Sequence, residues 1–140
     1  MKYFKNQKDT LVYAYDETNS DQAVLITKAI NNGWQDITES WPPTPTKSQI
    51  ISTYELAAQN QLDSIAQSWG YDSLLSASSY VNSTVAQYKA DALALVAWRD
   101  AVWTSAYSIE NAINAGTQDL PPTTTAFVAL LPLPPARPSV

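Results

Sequence analysis

Histidine and cysteine are both missing from this chain of 140 residues. Without cysteine there is no disulfide and no thiolate metal site; without histidine the commonest metal ligand and general base is gone. Only oxygen-ligated ions and carboxylate, lysine or tyrosine chemistry remain open. Cations are scarce as well, with 8 Lys and Arg against 13 Asp and Glu, a net charge of -5. That balance repels phosphates and anionic lipid surfaces, which excludes nucleic acid as an expected partner. No apolar run approaches the roughly 18 residues of a spanning helix, so membrane insertion is not expected either. Glycine occurs only at 33, 70 and 116, too sparsely for a phosphate-cradling loop. The lysines of MKYFKNQKDT are followed by no apolar core of a secretory signal, and residence in a cytoplasm is the expectation.

What the chain does contain is aromatic and helical. Five tryptophans and eight tyrosines are present, and Trp69, Trp98 and Trp103 fall in one stretch of strong helix signals. The expected class is α+β, in four parts: a small α+β unit over 1–40, a Pro-rich linker over 41–45, a helical module over 46–131 and an extended Pro-rich tail over 132–140. Lys2–Lys5 and Thr10–Tyr15 read as a β-hairpin, with Leu11, Tyr13 and Tyr15 on one face. Asn19 or Ser20 caps a helix through Asn31 whose stripe is Val24, Leu25, Lys28 and Ala29, broadened by Ile26 and Ile30. Asn32 and Gly33 end it, and residues 34–37 return as a third strand. So small a β-β-α-β unit is marginal alone, so Trp34 and Ile37 are expected among its docking groups.

Three prolines in 42–45 stiffen the boundary. Thr46 and Gln49 have capping-box spacing and open a helix with Ile51, Tyr54, Ala58, Leu62, Ile65 and Trp69 on one stripe, ended by Gly70. Asp72 is placed to cap a shorter helix carrying Leu74, Leu75 and Ala77. A third helix runs from about Thr84 to Ala115, with Val85, Tyr88, Ala92, Leu95, Val96, Val102, Trp103, Ala106, Ile109 and Ile113 as its stripe. Trp98 lies off that stripe and implies a second packing surface. One of Thr123 to Thr125 caps a last short helix with Phe127, Leu130 and Leu131, before a tail able to act as a strap on a partner.

Several clusters invite a chemical reading. Arg99 sits where the stripe calls for a hydrophobe, and a buried guanidinium needs a paired acid; Asp72 is the expected partner and Asp63 the next. Trp69, Tyr71, Asp72, Arg99 and Trp103 thus form an expected structural clamp. The tryptophans could stack on sugars, but burying each large ring is worth about 1.5 to 3 kcal/mol, which favours a core or protein interface. Asp16, Glu17, Asn19 and Asp21 lack the spacing of a calcium loop and read as caps and turns. No pair of acids stands out for glycoside hydrolysis, and Asp91 and Asp100 read as solvated helix residues. No catalytic residue, cofactor or metal is expected.

Two blocks carry a family likeness. QLDSIAQSWGYDSLLSASSY, from Gln61 to Tyr80, and LVAWRDAVWTSAY, from Leu95 to Tyr107, followed by a PTTTAFVALLPLP ending, resemble the tail fibre assembly proteins, or fibre chaperones, of tailed bacteriophages. The opening MKYFKNQKDTLVYAYD is similar to their N-termini. The family's small helix often has a cysteine, and the turn after it a proline, where this chain has Ser78 or Ser79 and Ser83-Thr84. The resemblance implies a noncatalytic chaperone in the host bacterial cytoplasm. Such a protein binds the C-terminal region of a trimeric tail fibre, assists its folding and trimerisation, and in some systems stays on the virion fibre. The alternative is a permanent virion component, a fibre-tip adaptor or host-surface adhesin; self-association is open to either. The partner-facing candidates are Trp98, Trp34, Trp41, Phe127 and Leu130.

Overall fold

Proline at 43 and 45 followed by a helix-capping threonine at 46 divides the chain at one bond. The computed structural model describes residues 1–140 as two units, Met1–Pro45 and Thr46–Val140. The class is α+β: one small antiparallel sheet and five α-helices.

In the first unit β1 (Lys2–Lys5) pairs on one side with β2 (Val12–Tyr15) and on the other with β3 (Gln35–Asp36), all antiparallel. The second strand begins at Val12 rather than Thr10 because Thr10 turns the chain, with φ 60°. Asp9 holds that turn: its carboxylate accepts from Leu11 N at 3.0 Å, Asn6 Nδ2 at 2.9 Å and Tyr13 OH at 3.0 Å. Between β2 and β3 lies α1 (Ser20–Asn31), capped by the Asn19 side chain. Its inward stripe is Gln22, Ile26 and Ala29, spaced four and three, and Ala29 is packed out of solvent like Phe4 on β1. The expected stripe is corrected here, because Val24, Leu25 and Ile30 face solvent. The unit's tryptophans spend part of their surface locally. Trp34 lies against Tyr13 with ring centroids 4.8 Å apart, and Trp41 against Tyr3 at 5.9 Å.

The regular elements of the second unit are all helical. In α2 (Lys47–Ser68) the capping box closes in both directions, Gln49 N to Thr46 Oγ1 at 3.2 Å and Thr46 N to Gln49 Oε1 at 2.8 Å. Tyr54, Ala58, Leu62 and Ala66 follow at steps of four and form its buried face. Gly70, at φ +97°, lets the chain reverse so that Tyr71 N reaches Ala66 O at 3.1 Å. The next helix, α3 (Leu74–Ser78), is capped by Ser73, not Asp72. Asp63 on α2 adds a second anchor, accepting from Leu74 N at 2.8 Å, so the two helices are tied at the start of the short one.

A 3-10 turn over Ser79–Asn82 leads into α4 (Ala86–Asn114), whose buried residues are Asp91, Ala92, Leu95, Trp98, Val102, Ala106 and Ile113. The steps 91, 95, 98, 102, 106 are those of one helical face, and Trp98 occupies the step that the expected stripe skipped. Beyond α4, α5 (Thr124–Val128) is capped by Thr123. It stacks Phe127 on Tyr54 at 4.7 Å and 11° between ring planes, while Tyr54 donates its hydroxyl to Pro121 O. One core thus joins α2, α3, α4, α5 and Leu131.

Since the capping box supplies partners for two otherwise free backbone amides, Thr46→Ala is expected to lower stability by about 0.5 to 2 kcal/mol in urea unfolding followed by circular dichroism.

Candidate functional site

Near its N-terminus α4 carries Gln87, Asp91, Leu95 and Trp98 on one face, three or four residues apart. Leu95 and Trp98 pack into the core, but Asp91, 0% exposed, brings a carboxylate into the same environment. Burial of such a group is tolerated only when its oxygens are fully partnered. Here they are. Arg137 donates from Nη2 to Oδ2 at 2.7 Å and from Nε to the same oxygen at 3.2 Å, Tyr71 OH donates to Oδ2 at 3.0 Å, and Gln87 Nε2 donates to Oδ1 at 2.8 Å. The guanidinium also lies over the Trp69 ring, 5.9 Å from its centroid.

The electrostatics follow from this geometry. Burial alone pushes the Asp91 carboxyl up, but the hydrogen bonds from Arg137, Gln87 and Tyr71 together outweigh it, and the group titrates below its ordinary 3.8. Burial and then the hydrogen bond to Asp91 push the Tyr71 phenol up to about 12. Tyr71 is therefore a donor, and Asp91 an anion, throughout the physiological range.

Arg137 belongs to the C-terminal segment, which is laid along this helical face. Trp98 Nε1 donates to Pro132 O at 2.9 Å and Gln87 Nε2 to Pro138 O at 2.7 Å, so both ends of the segment are held by its carbonyls. Pro132, Pro135 and Pro138 are half-buried, whereas Leu133, Pro134, Ala136 and Arg137 are exposed. Burial at every third residue is the period of a polyproline II helix with one edge against a surface. Beside the segment an aromatic strip leads outward, from Tyr71 to Tyr80 at 5.6 Å and on to Tyr88 at 5.5 Å, the last two exposed.

The expected clamp is corrected in three of its five members. Trp69 and Tyr71 do converge, but on Asp91 and Arg137. Asp72 is exposed, with only its backbone carbonyl engaged, by Gln67, and Arg99 pairs with its own neighbour Asp100 at 2.8 Å. An arginine that can turn to an adjacent acid at the surface does not need a distant buried one. Asp63 is committed to the start of α3, and Trp103 packs beside the core and stacks on Tyr107 at 5.8 Å. Asp91, read as a solvated helix residue, is the only buried charge of the chain.

Among the partner-facing candidates, Trp98 and Phe127 are core residues and are corrected as such; Leu130 and Trp41 are exposed, and Trp34 is half-buried. The acidic stretch before α1 serves turns and caps, with Thr18 donating to Asp16 and Asn19 capping the helix. No three acids stand close enough to hold a metal ion, and no helix is long and apolar enough to cross a membrane. The signal for the node was present in the sequence as Pro132, Pro135 and Pro138, a spacing of three that fixes which edge of an extended segment faces inward, with Arg137 beside the last of them.

Removing the buried carboxylate in Asp91→Ala is expected to cost about 1 to 3 kcal/mol in chemical denaturation, the scale of hydrogen bonds to a charged group. Asp72→Asn, by contrast, is expected to stay within about 0.5 kcal/mol of the parent. Because the folded-state value of Asp91 is depressed, its contribution is complete above 3.8 and is lost as pH falls through the lower folded value. Acid unfolding monitored by tryptophan fluorescence checks this: Asp91→Asn flattens that limb of the curve. Tyr71 sets the opposite limb, its contribution fading as pH rises from 10 to about 12.

No protein-family model, curated protein or solved structure matches the chain.

Proposed function

We propose that this protein is a noncatalytic chaperone that binds the C-terminal region of a phage tail fibre and assists its folding and trimerisation in the host bacterial cytoplasm. The observation that carries the reading is the set of exposed aromatic and aliphatic side chains on the helical unit and its C-terminal segment. Tyr80 and Tyr88 extend outward from the node, Leu75 on α3 is 79% exposed and Leu133 in the segment 87% exposed. Side chains of this kind gain by being covered, and a fibre trimer supplies what covers them. Until three fibre chains come into register, each exposes apolar surface and unpaired strand edges that favour aggregation. A small acidic protein with tyrosine and leucine on its face holds such surface while its net charge of -5 keeps the complex soluble.

The stretches that resemble the fibre-assembly family support the same reading, because they supply part of the node's surroundings, while Gln87, Asp91 and Arg137 lie outside them. Trp69 and Tyr71 come from the first block, Trp98 from the second and Pro132 from the ending.

Co-expression with the cognate fibre is the direct test. Soluble trimer is expected only in the presence of the protein, and an equal yield in its absence refutes the chaperone reading. The double variant Tyr80→Ala/Tyr88→Ala is expected to lower co-purification of the fibre at least tenfold while leaving the thermal midpoint of the free protein within a few degrees.

A further inference from the structure

We infer that the face of α4 bearing Gln87, Asp91 and Trp98, completed by Trp69, is a recognition site for an extended segment of the pattern Pro-x-x-Pro-x-Arg on a partner protein, filled in cis by this chain's own tail. The inference concerns this face alone and holds whether or not the partner is a fibre.

Three features make the face a receptor for that pattern rather than a place where a tail happens to rest. The first is register. Gln87 and Trp98 are eleven residues apart on α4, about 17 Å at the helical rise. The carbonyls they grip, Pro138 and Pro132, are six residues apart, about 19 Å along a polyproline II helix. Two rods of different pitch therefore meet at both ends, the segment running antiparallel to α4, with Arg137 set one residue before Pro138 and thus opposite Asp91.

The second feature is what is read. Every hydrogen bond between the face and the segment either goes to a segment carbonyl or comes from the guanidinium, and no backbone N–H of residues 132–140 is engaged. A segment without N–H groups at its proline positions loses nothing there, which selects proline. Meanwhile the exposed positions 133, 134 and 136 accept other side chains. An indole N–H to a carbonyl, aromatic rings and an acid for one arginine are the elements by which extended proline-rich peptides are bound in general.

The third is the balance between a rigid receptor and a removable ligand. Asp91 and Trp98 are fixed in the core by α4, whereas the segment is half-buried only at every third residue and leaves the Arg137 side chain 43% exposed. A partner segment of the same pattern offers the same contacts, so exchange leaves no buried group unpaired. The polyproline conformation is largely preformed in both, and little ordering entropy opposes the exchange.

The test uses the full chain and a fluorescently labelled peptide of residues 132–140, PLPPARPSV. Arg137→Ala, whose own tail has lost its anchor, is expected to bind the peptide at least tenfold more tightly than the parent in anisotropy titration. Asp91→Ala/Arg137→Ala is expected not to bind it, and neither variant is expected to bind a peptide with alanine for arginine. Equal binding by single and double variants overturns the proposal, as does no binding by a folded Arg137→Ala chain. If that variant does not fold, the parent still decides. With 15N-labelled arginine, the Arg137 Nε–H resonance is expected to lose its protection when excess unlabelled peptide is added; a resonance unmoved at millimolar peptide overturns the exchange. Light scattering adds the remaining arm: a dimer of the parent that the peptide dissociates assigns the face to a second copy's tail and overturns the heterologous partner.

Discussion

The helical unit is organised around a carboxylate that would be intolerable alone. Asp91 stands in α4 where a core residue is due, and its two oxygens draw in donors from three separate parts of the chain. Tyr71 comes from the turn that ends α2, Gln87 from the preceding turn of α4, and Arg137 from close to the C-terminus. Each of these is placed for other reasons: Gly70 turns the chain at Tyr71, helical spacing sets Gln87, and the proline period sets Arg137. The acid converts those independent placements into one arrangement, because any of them left out strands a buried charge. Nonpolar packing of the same volume would hold the helices as well, but it would not select a particular arginine in a particular extended segment.

The consequence for the C-terminus is that a stretch with no secondary structure and few bulky groups is nonetheless positioned. Its prolines cannot extend a sheet or a helix, and its carbonyls are its only regular hydrogen-bonding groups. Side-chain donors hold such a segment by its carbonyls, and α4 provides them at both ends in Trp98 and Gln87. Trp98 thereby has two roles: its ring fills the core between α4 and its neighbours, and its N–H points out of that core to the segment. A ring with a polar edge suits a position between core and surface better than phenylalanine or leucine would.

The elements were legible in the sequence wherever local chemistry decides them. Asn19, Thr46, Gly70 and Thr123 mark the helix ends because caps and left-handed turns depend on one or two residues. The faces of the helices were less legible. On α1 the more hydrophobic residues, Val24, Leu25 and Ile30, lie outside while Gln22, Ile26 and Ala29 lie inside, since a thin sheet buries little and the facing side is set by helix position rather than by hydrophobicity. On α4 the apolar residues are dense enough to admit two stripes, and the one through 91 and 98 includes an aspartate that a hydrophobic pattern passes over. Reading Asp91 as solvated and Arg99 as buried inverted the two, because polarity at a core position depends on a partner 46 residues away.

The two units consequently differ in what fixes their surfaces. In the first, partial stacking of Trp34 on Tyr13 and Trp41 on Tyr3 disposes of rings that so small a core cannot enclose. In the second, the core is large enough to enclose Trp98, Phe127 and even a carboxylate, and the exposed rings are therefore those the core had no need of. Tyr80 meets Tyr71 at a tilt and Tyr88 in a T-shaped contact, which orders the strip without hiding it. Rigid aromatic side chains that are ordered before a partner arrives lose little entropy on binding.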